Sequence, residues 1–221
     1  MIFIRDHPVI FVTGIGTGVG KTLVAAILTE ALGADYWKPV QSGMETFSDT
    51  AIVRSLVSNS RSHFLEETYR LKTPVSPHTS ARIDGVDIVP EKILADFKKH
   101  TAIGRPLVIE GAGGLMVPLN DHYLYCDLIQ SLQIPVIVVS MTYLGSINHS
   151  LLTAITLKSK GITALGWVFN RSKGMNETDI VRWSGIPWLA SIPDFAELNR
   201  NVVMSYAREI SRELQLNESL T

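Results

Sequence analysis

The sequence predicts a three-layer α/β fold with a mostly parallel central sheet flanked by helices, and three observations carry that expectation. Short apolar runs rich in Val and Ile, at 9–12, 107–109, 134–140 and 164–170, alternate with stretches of helical periodicity. The run IPVIVVS at 134–140 is apolar without alternation, as a strand covered on both faces of a parallel sheet must be. The first run leads straight into a glycine-rich turn that opens a helix, the strand–turn–helix unit from which such sheets grow.

That first unit is the most informative. Val9, Ile10, Phe11 and Val12 precede Gly14, Gly16, Gly18 and Gly20; Lys21-Thr22 follows and opens a helix with Leu23, Ala26, Ile27 and Ala31 on one side. The pattern fits a phosphate loop, which makes the fold P-loop NTPase-like. Glycines without Cβ let the backbone N–H groups of Thr17, Gly18, Val19 and Gly20 close around a phosphate, and the helix N-terminus adds partial positive charge. Lys21 reaches the outer phosphates and Thr22 offers a hydroxyl to Mg²⁺. The spacing departs from G-x-x-x-x-G-K-[ST]: Ile15 stands where the first glycine belongs, and Gly14 leaves five residues between the glycines.

After the first helix, Ala34 to Val40 reads as one short strand, with Pro39 near its end. Lys38 then lies at a strand's C-terminal end, where open α/β sheets bind ligands, although a solvated edge lysine would fit the position equally well. Thr50 to Val57 has helical spacing; Ser48 suits its cap, and Asp49 suits either the helix dipole or a ligand. Pro74 and Pro77 are expected to break any helix over 65–79, leaving Val75 to His78 as a rim loop or connector. Pro90 to Phe97 reads as a helix with Pro90 in its first turn.

The strand Leu107 to Ile109 delivers Glu110 to its C-terminal end, followed by Gly111, Gly113 and Gly114. An acidic residue on the strand beside a phosphate loop is where Mg²⁺ or its water is held. Thr22, Asp49 and Glu110 together would give an all-oxygen site suited to Mg²⁺. Gly145 to Asn148 reads as a turn whose N–H groups suit either an anion or a helix start at Ser150. Ala164 to Asn170 is a further strand; the Asn170 carboxamide has the donor and acceptor to read an adenine edge, or serves the turn. Ile186 to Ile192 gives another strand, and Val202 to Leu216 a closing amphipathic helix.

With 221 residues and 46% hydrophobic content, the chain can bury a full core, so a single domain over 1–221 is expected ahead of two small ones. A net charge of −1 without a basic block argues against a nucleic-acid partner. Cys126 stands alone, which excludes an internal disulfide and fits a small buried hydrophobe in a reducing cytoplasm. Residues 134–145 are too few and too β-branched to span a bilayer, and the first residues carry no secretory cleavage pattern. A soluble, cytoplasmic protein without a membrane partner is expected.

With these residues assembled, the chain resembles the dethiobiotin synthetase family. That family's loop reads approximately G-T-D-T-x-V-G-K-T, with the same five-residue gap as Gly14 to Thr22. The resemblance recurs in order at Lys38 to Gly43 (KPVQSG), Ser48-Asp49, Ser76 to His78 and Ile109 to Gly114 (IEGAGG). It continues at Leu144 to His149 (LGSINH), Gly166 to Asn170 and Ile192-Pro193, and so covers nearly the whole chain. It implies an ATP-dependent ligase that joins CO₂ to the two amines of 7,8-diaminononanoate with MgATP, closing the cyclic urea of dethiobiotin and releasing ADP and phosphate. This is the penultimate step of biotin biosynthesis. The implied course is a carbamate that attacks the γ-phosphate, then a carbamic-phosphoric anhydride closed by the second amine.

By the same resemblance Lys21 and Lys38 are catalytic, and Lys38 with Ser42 holds the carbamate end. Gly145, Ser146, Ile147 and Asn148 would hold the far carboxylate of a substrate bound by the neighbouring subunit, which implies a homodimer. Asn170 with Pro193, Asp194 and Phe195 would hold the adenine. The family often carries Asp or Asn where Gly16 stands, and some members Glu where Gly18 stands, so any such side-chain role passes here to backbone and water. The short Gly43 to Asp49 link is expected to leave its side open, and Arg171 to bear on nucleotide preference.

Three rivals share parts of this pattern. An amidoligase of cobalamin synthesis would need a second domain for ammonia delivery. Partitioning and site-selection ATPases carry a signature lysine where this chain has Gly16. A non-catalytic nucleotide-binding protein would have no need of Lys21, Thr22, Lys38, Asp49 and Glu110 together.

Overall fold

The computed structural model describes residues 3–4, 7–44 and 48–218. β1 (Phe3–Ile4) lies antiparallel to the start of β2 (His7–Gly14), and α1 (Lys21–Leu32) follows the glycine turn. β3 (Asp35–Trp37), β4 (Val40–Gln41), α2 (Asp49–Leu56), β5 (Tyr69–Arg70), α3 (Pro77–Asp84) and α4 (Pro90–Ala102) lead to β6 (Leu107–Glu110). The chain continues through α5 (Tyr125–Leu132), β7 (Val136–Met141), α6 (Ser146–Ser159) and β8 (Ala164–Asn170), then α7 (Glu177–Ser184), β9 (Trp188–Ile192) and α8 (Arg200–Glu218).

The main sheet runs β3-β6-β2-β7-β8-β9, and every one of these neighbours is parallel. The fold is therefore the predicted three-layer α/β arrangement. Alternation along β2 sorts the two cores: Val9 and Phe11 face the layer of α4, α5 and α6, while Ile10 and Val12 face α1, α2 and α8. α1 lies between the sheet and α8, so residues Leu23 to Thr29 are buried all round. Because β2 is central, with β6 on one side and β7 on the other, its phosphate loop opens beside the C-terminal ends of both neighbours. Among the described residues no helix is long and apolar enough to cross a membrane.

Several expected boundaries move, each for a local reason. The single strand expected over Ala34 to Val40 is two: β3 joins the main sheet and β4 pairs with β5 in a separate two-stranded ladder. Pro39, which has no N–H to donate, stands at the break, and the residue before it, Lys38, leaves the ladder. Pro77 does not break a helix; it starts α3, since a first-turn residue needs no intrahelical N–H partner, and His78 is therefore helical. α4 runs to Ala102, beyond the expected Phe97. α6 starts at Ser146, not Ser150, behind Gly145 in the left-handed region at φ 99°, so Ser146 to Asn148 form a helix's first turn. The Gly43 to Asp49 link includes 45–47, outside the described residues.

Candidate active site

Two side chains hold the phosphate loop. Lys21 Nζ donates to the Gly16 carbonyl at 2.8 Å, curling the loop around its own ammonium. Asn170 Nδ2, from the end of β8, donates to the Val19 carbonyl at 3.0 Å. Gly20 has φ 99°, and a Cβ there would sit 2.1 Å from Asn170 Nδ2, so both backbone conformation and packing require glycine. Burial holds the Lys21 ammonium down at about 8, lowered further by Lys38 and drawn back up by Glu110 and Asp49.

Beside the loop, β3, β6 and the start of α2 converge on one polar cluster. Thr22 Oγ1 lies 3.1 Å from Asp49 Oδ1 and 3.0 Å from Glu110 Oε1. Lys38 Nζ donates to Asp49 Oδ2 and, at 3.1 Å, to Glu110 Oε1. Tyr36 Oη donates to Glu110 Oε2 at 2.7 Å. Glu110 and Lys38 are almost fully buried, at 1% and 3% exposure, a placement tolerable only because each charge is paired. Burial pulls the Lys38 ammonium down, but Glu110 and Asp49 outweigh it, and its pKa stands above the ordinary lysine value. Burial and Glu110 likewise push the Tyr36 phenol well up.

The donor set fits Mg²⁺. One hydroxyl and two carboxylates are hard oxygen ligands, and Mg²⁺ characteristically takes one or two carboxylates with water and substrate phosphates completing its shell. The cluster already draws a cation, the Lys38 ammonium, onto both carboxylates. Among the described residues no group of three His, Cys, Asp or Glu side chains competes as a metal site.

Two cavities meet at the loop. One of about 630 Å³ is walled by Thr17, Gly18, Gly20, Lys21 and Thr22 and by Lys38, Ser42, Asp49 and Glu110, with Pro74 to Pro77 at its rim. Another, of about 260 Å³, lies between Asn170, Arg171, Pro193, Asp194 and Phe195 and the apolar Leu23, Ile52 and Leu56. Gly18, Gly20 and Thr22 line both, so a molecule with its ring in the smaller cavity would run its phosphates over the loop to the larger one. Ser42 Oγ is buried without a hydrogen-bond partner, an orphan that a ligand in the larger cavity can satisfy.

The structure thus gathers Thr17, Gly18, Gly20, Lys21, Thr22, Lys38, Ser42, Asp49 and Glu110 around one space. Val19 contributes its carbonyl to Asn170 from a buried side. Asn170, Pro193, Asp194 and Phe195 share the second cavity, where Arg171, at φ 50°, pairs with Asp194 at 3.3 Å. Ser48 caps α2 by accepting from the Ala51 N–H. Gly145, Ser146, Ile147 and Asn148 line neither cavity of this chain. Two supporting residues were not singled out from the sequence. Tyr36 meets Glu110 across 74 positions, and Gln41 Oε1 accepts the Asp49 N–H at 3.0 Å, fixing where α2 begins. Gln41 stood inside the KPVQSG motif, which was its available signal.

A family model described as an AAA domain matches residues 9–202. The ATP-dependent dethiobiotin synthetase BioD of Cytophaga hutchinsonii is 46% identical over 198 residues, covering 89% of this chain and 94% of that protein. The protein of the same name from Brucella ovis is 45% identical over 191 residues, covering 86% and 88%. In structure the chain is similar to a ParA family ATPase from Chlorobium tepidum, with TM-score 0.58 and 15% identity over 99% of this chain and 100% of that one. It is also similar to the cell division ATPase MinD of Pyrococcus furiosus, with TM-score 0.54 and 17% identity over 98% and 100%. At such identities the structural likeness is one of fold.

Proposed function

The chain belongs to the ATP-dependent dethiobiotin synthetases, ligases of biotin biosynthesis, and from that membership and the geometry above we propose how its own residues perform the reaction. In this reading one domain over 1–221 takes ATP with its base in the Asn170–Phe195 cavity and its phosphates over Thr17 to Thr22. The carboxamide that ties down Val19 keeps a second N–H and its oxygen, the pair needed for an adenine edge. Thr22, Asp49 and Glu110 hold Mg²⁺, which when bound neutralises charge on the phosphate oxygens. Lys21 adds its charge at the outer phosphates.

7,8-Diaminononanoate and CO₂ enter the larger cavity, where one amine and CO₂ form a carbamate. Lys38 and Ser42 hold that carbamate in line with the γ-phosphate; its oxygen attacks phosphorus and ADP leaves. The second amine then attacks the carbonyl carbon of the mixed anhydride, phosphate departs, and the cyclic urea closes. The task is to bring anions together and hold them in line, which orientation and fixed charge accomplish. The observation that carries this reading is the buried, paired Lys38 and the orphaned Ser42 hydroxyl lining one cavity with the loop.

The homodimer belongs to the same proposal. Leu144 and, on α6, Leu152 and Ile155 are exposed beside the Gly145 to Asn148 turn. A second copy covering them would bring that helix N-terminus toward the neighbour's substrate.

Phosphate release from MgATP with bicarbonate, measured with and without 7,8-diaminononanoate and with dethiobiotin identified by mass, tests the reading. Diamine-dependent release equal to dethiobiotin formed is the expected result. Release without the diamine, or none with it, would refute it.

A further inference from the structure

The smaller cavity, where the base is proposed to lie, is walled in part by two segments that have already left the sheet. Arg171 follows β8, and Pro193, Asp194 and Phe195 follow β9. The two strands pair as far as Asn170 and Ile192. Beyond that point a backbone bond from the Ser172 N–H to the Ile192 carbonyl, 2.9 Å long, ties one exit to the other. Segments outside a ladder are the variable part of a fold, whereas a binding site needs walls held at fixed spacing by the residues behind them.

Arg171 sharpens the problem. It stands in the left-handed region at φ 50°, which a residue with a Cβ keeps only where its surroundings over-determine it. Its ion pair with Asp194 joins side chains that are 57% and 73% exposed, and a pair so open to solvent and salt holds little.

The restraint comes from Glu177, in the first turn of α7. Its Oε1 accepts from Ser172 Oγ, and its Oε2 accepts from Ser191 Oγ at 2.7 Å. Ser172 follows Arg171 directly, and Ser191 stands just before Ile192-Pro193. One carboxylate thus holds both exits, with one oxygen for each, through the charge-assisted kind of hydrogen bond. Each serine is fixed from another side as well: Ser172 Oγ accepts the Gly174 N–H at 3.3 Å, and Ser191 Oγ accepts from Trp188 Nε1 at 3.0 Å. The helix dipole alone favours a glutamate in a first turn. It does not call for a hydroxyl on each strand exit.

We propose that Glu177 is a positioning residue for the nucleotide's base: by holding Ser172 and Ser191 it fixes Arg171 and the Pro193-Asp194 wall on either side of the cavity. Glu177 and its two serines stand behind the lining and act through their neighbours. The inference rests on the reading that the base occupies this cavity.

Calorimetric titration of the full chain with a non-hydrolysable ATP analogue in Mg²⁺ tests it. Glu177→Ala is expected to bind about tenfold more weakly than the wild type. Glu177→Gln, whose amide keeps an acceptor for one serine and a donor for the other, is expected to stay within twofold. Ser172→Ala removes one arm of the clamp and is expected to lose about threefold. At saturating ATP the KM for 7,8-diaminononanoate should move by less than twofold in all three, which a general loosening of the fold would not allow. Ile52→Trp fills the cavity from its apolar side and tests the reading beneath: unchanged affinity there removes the base from the cavity, and the inference with it. Where Ile52→Trp does weaken binding, undiminished affinity in Glu177→Ala overturns the inference alone, as does a Glu177→Gln as weak as Glu177→Ala or a diamine KM that rises in step. Undiminished affinity in Ser172→Ala overturns it however Glu177→Ala folds.

Discussion

Replacing Lys21 with Met should make the nucleotide-free protein more stable while abolishing its hold on ATP. The lysine's pKa is lowered from 10.5 to about 8, chiefly by burial, and at ~1.4 kcal/mol per unit this costs the folded state about 3 kcal/mol at neutral pH. Losing the bond to the Gly16 carbonyl, 2.8 Å long, returns about 1 kcal/mol. The net gain of about 2 kcal/mol corresponds to a rise of roughly 4–8 °C in melting temperature for a chain of this size. The pH dependence gives the sharper check. Because the folded-state value lies below the unfolded one, the unfolded chain holds the extra proton between about 8 and 10.5, and wild-type stability rises with pH there. Below about 8 both states are protonated and the full cost is present. Urea melts of both proteins across that window should show a gap widest at neutral pH that closes as pH climbs. Saturating MgATP should reverse the order, since only the wild type gains binding energy. A variant less stable at pH 7, or a gap flat with pH, would refute the burial argument.

Three further outcomes follow from named contacts. Lys38→Ala strands two carboxylates and should cost the nucleotide-free protein about 3–5 kcal/mol, a loss that millimolar Mg²⁺ largely restores in urea melts; product formation should vanish while ATP still binds, and surviving turnover would remove Lys38 from its assigned role. Gly20→Ala places a Cβ 2.1 Å from Asn170 Nδ2 at φ 99°, so nucleotide affinity measured by calorimetry should fall at least tenfold, and near-normal affinity would show that the loop has room to adjust. Leu152→Glu with Ile155→Glu changes side chains 55% and 64% exposed in the single chain, and should leave folding intact while turning a dimer into 24.4 kDa monomers by light scattering. A wild type that is itself monomeric would refute the shared site.

What could be read from the sequence was local. Gly14 to Thr22 and the strand carrying Glu110 are contiguous stretches whose residue types name their geometry, and both lie where expected. The split of β3 from β4 was not legible, because Pro39 marks a strand end without saying that the next residues pair elsewhere. Pro77 was read as a breaker when it is a starter, and the sequence around a first-turn proline looks the same for both. α5 did carry a signal, with Tyr125, Leu128, Ile129 and Leu132 at helical spacing. α7 buries only Ile180, and so left almost none. Tyr36 was beyond reach for another reason: it meets Glu110 across 74 positions, a relation made only by folding.

The two lysines show how one fold separates roles that composition alone leaves equivalent. Both are buried in the same cluster within the field of the same carboxylates, yet burial prevails at Lys21 and the paired charges prevail at Lys38. The difference lies in contact: Lys38 touches Asp49 and Glu110 directly, whereas Lys21 donates to a neutral carbonyl and feels those charges at longer range. Lys21 thus has no carboxylate in contact, and in the proposed reaction a phosphate at the loop would supply the anion. Lys38 is already neutralised and firmly protonated, which unsuits it as a general base in the nucleotide-free protein and suits it to hold a carboxylate-like group. The chain shares its fold with the ParA and MinD ATPases. In the proposed reaction the chemistry falls to the residue at the end of β3, where Pro39 breaks the ladder and Lys38 pairs with Asp49 and Glu110.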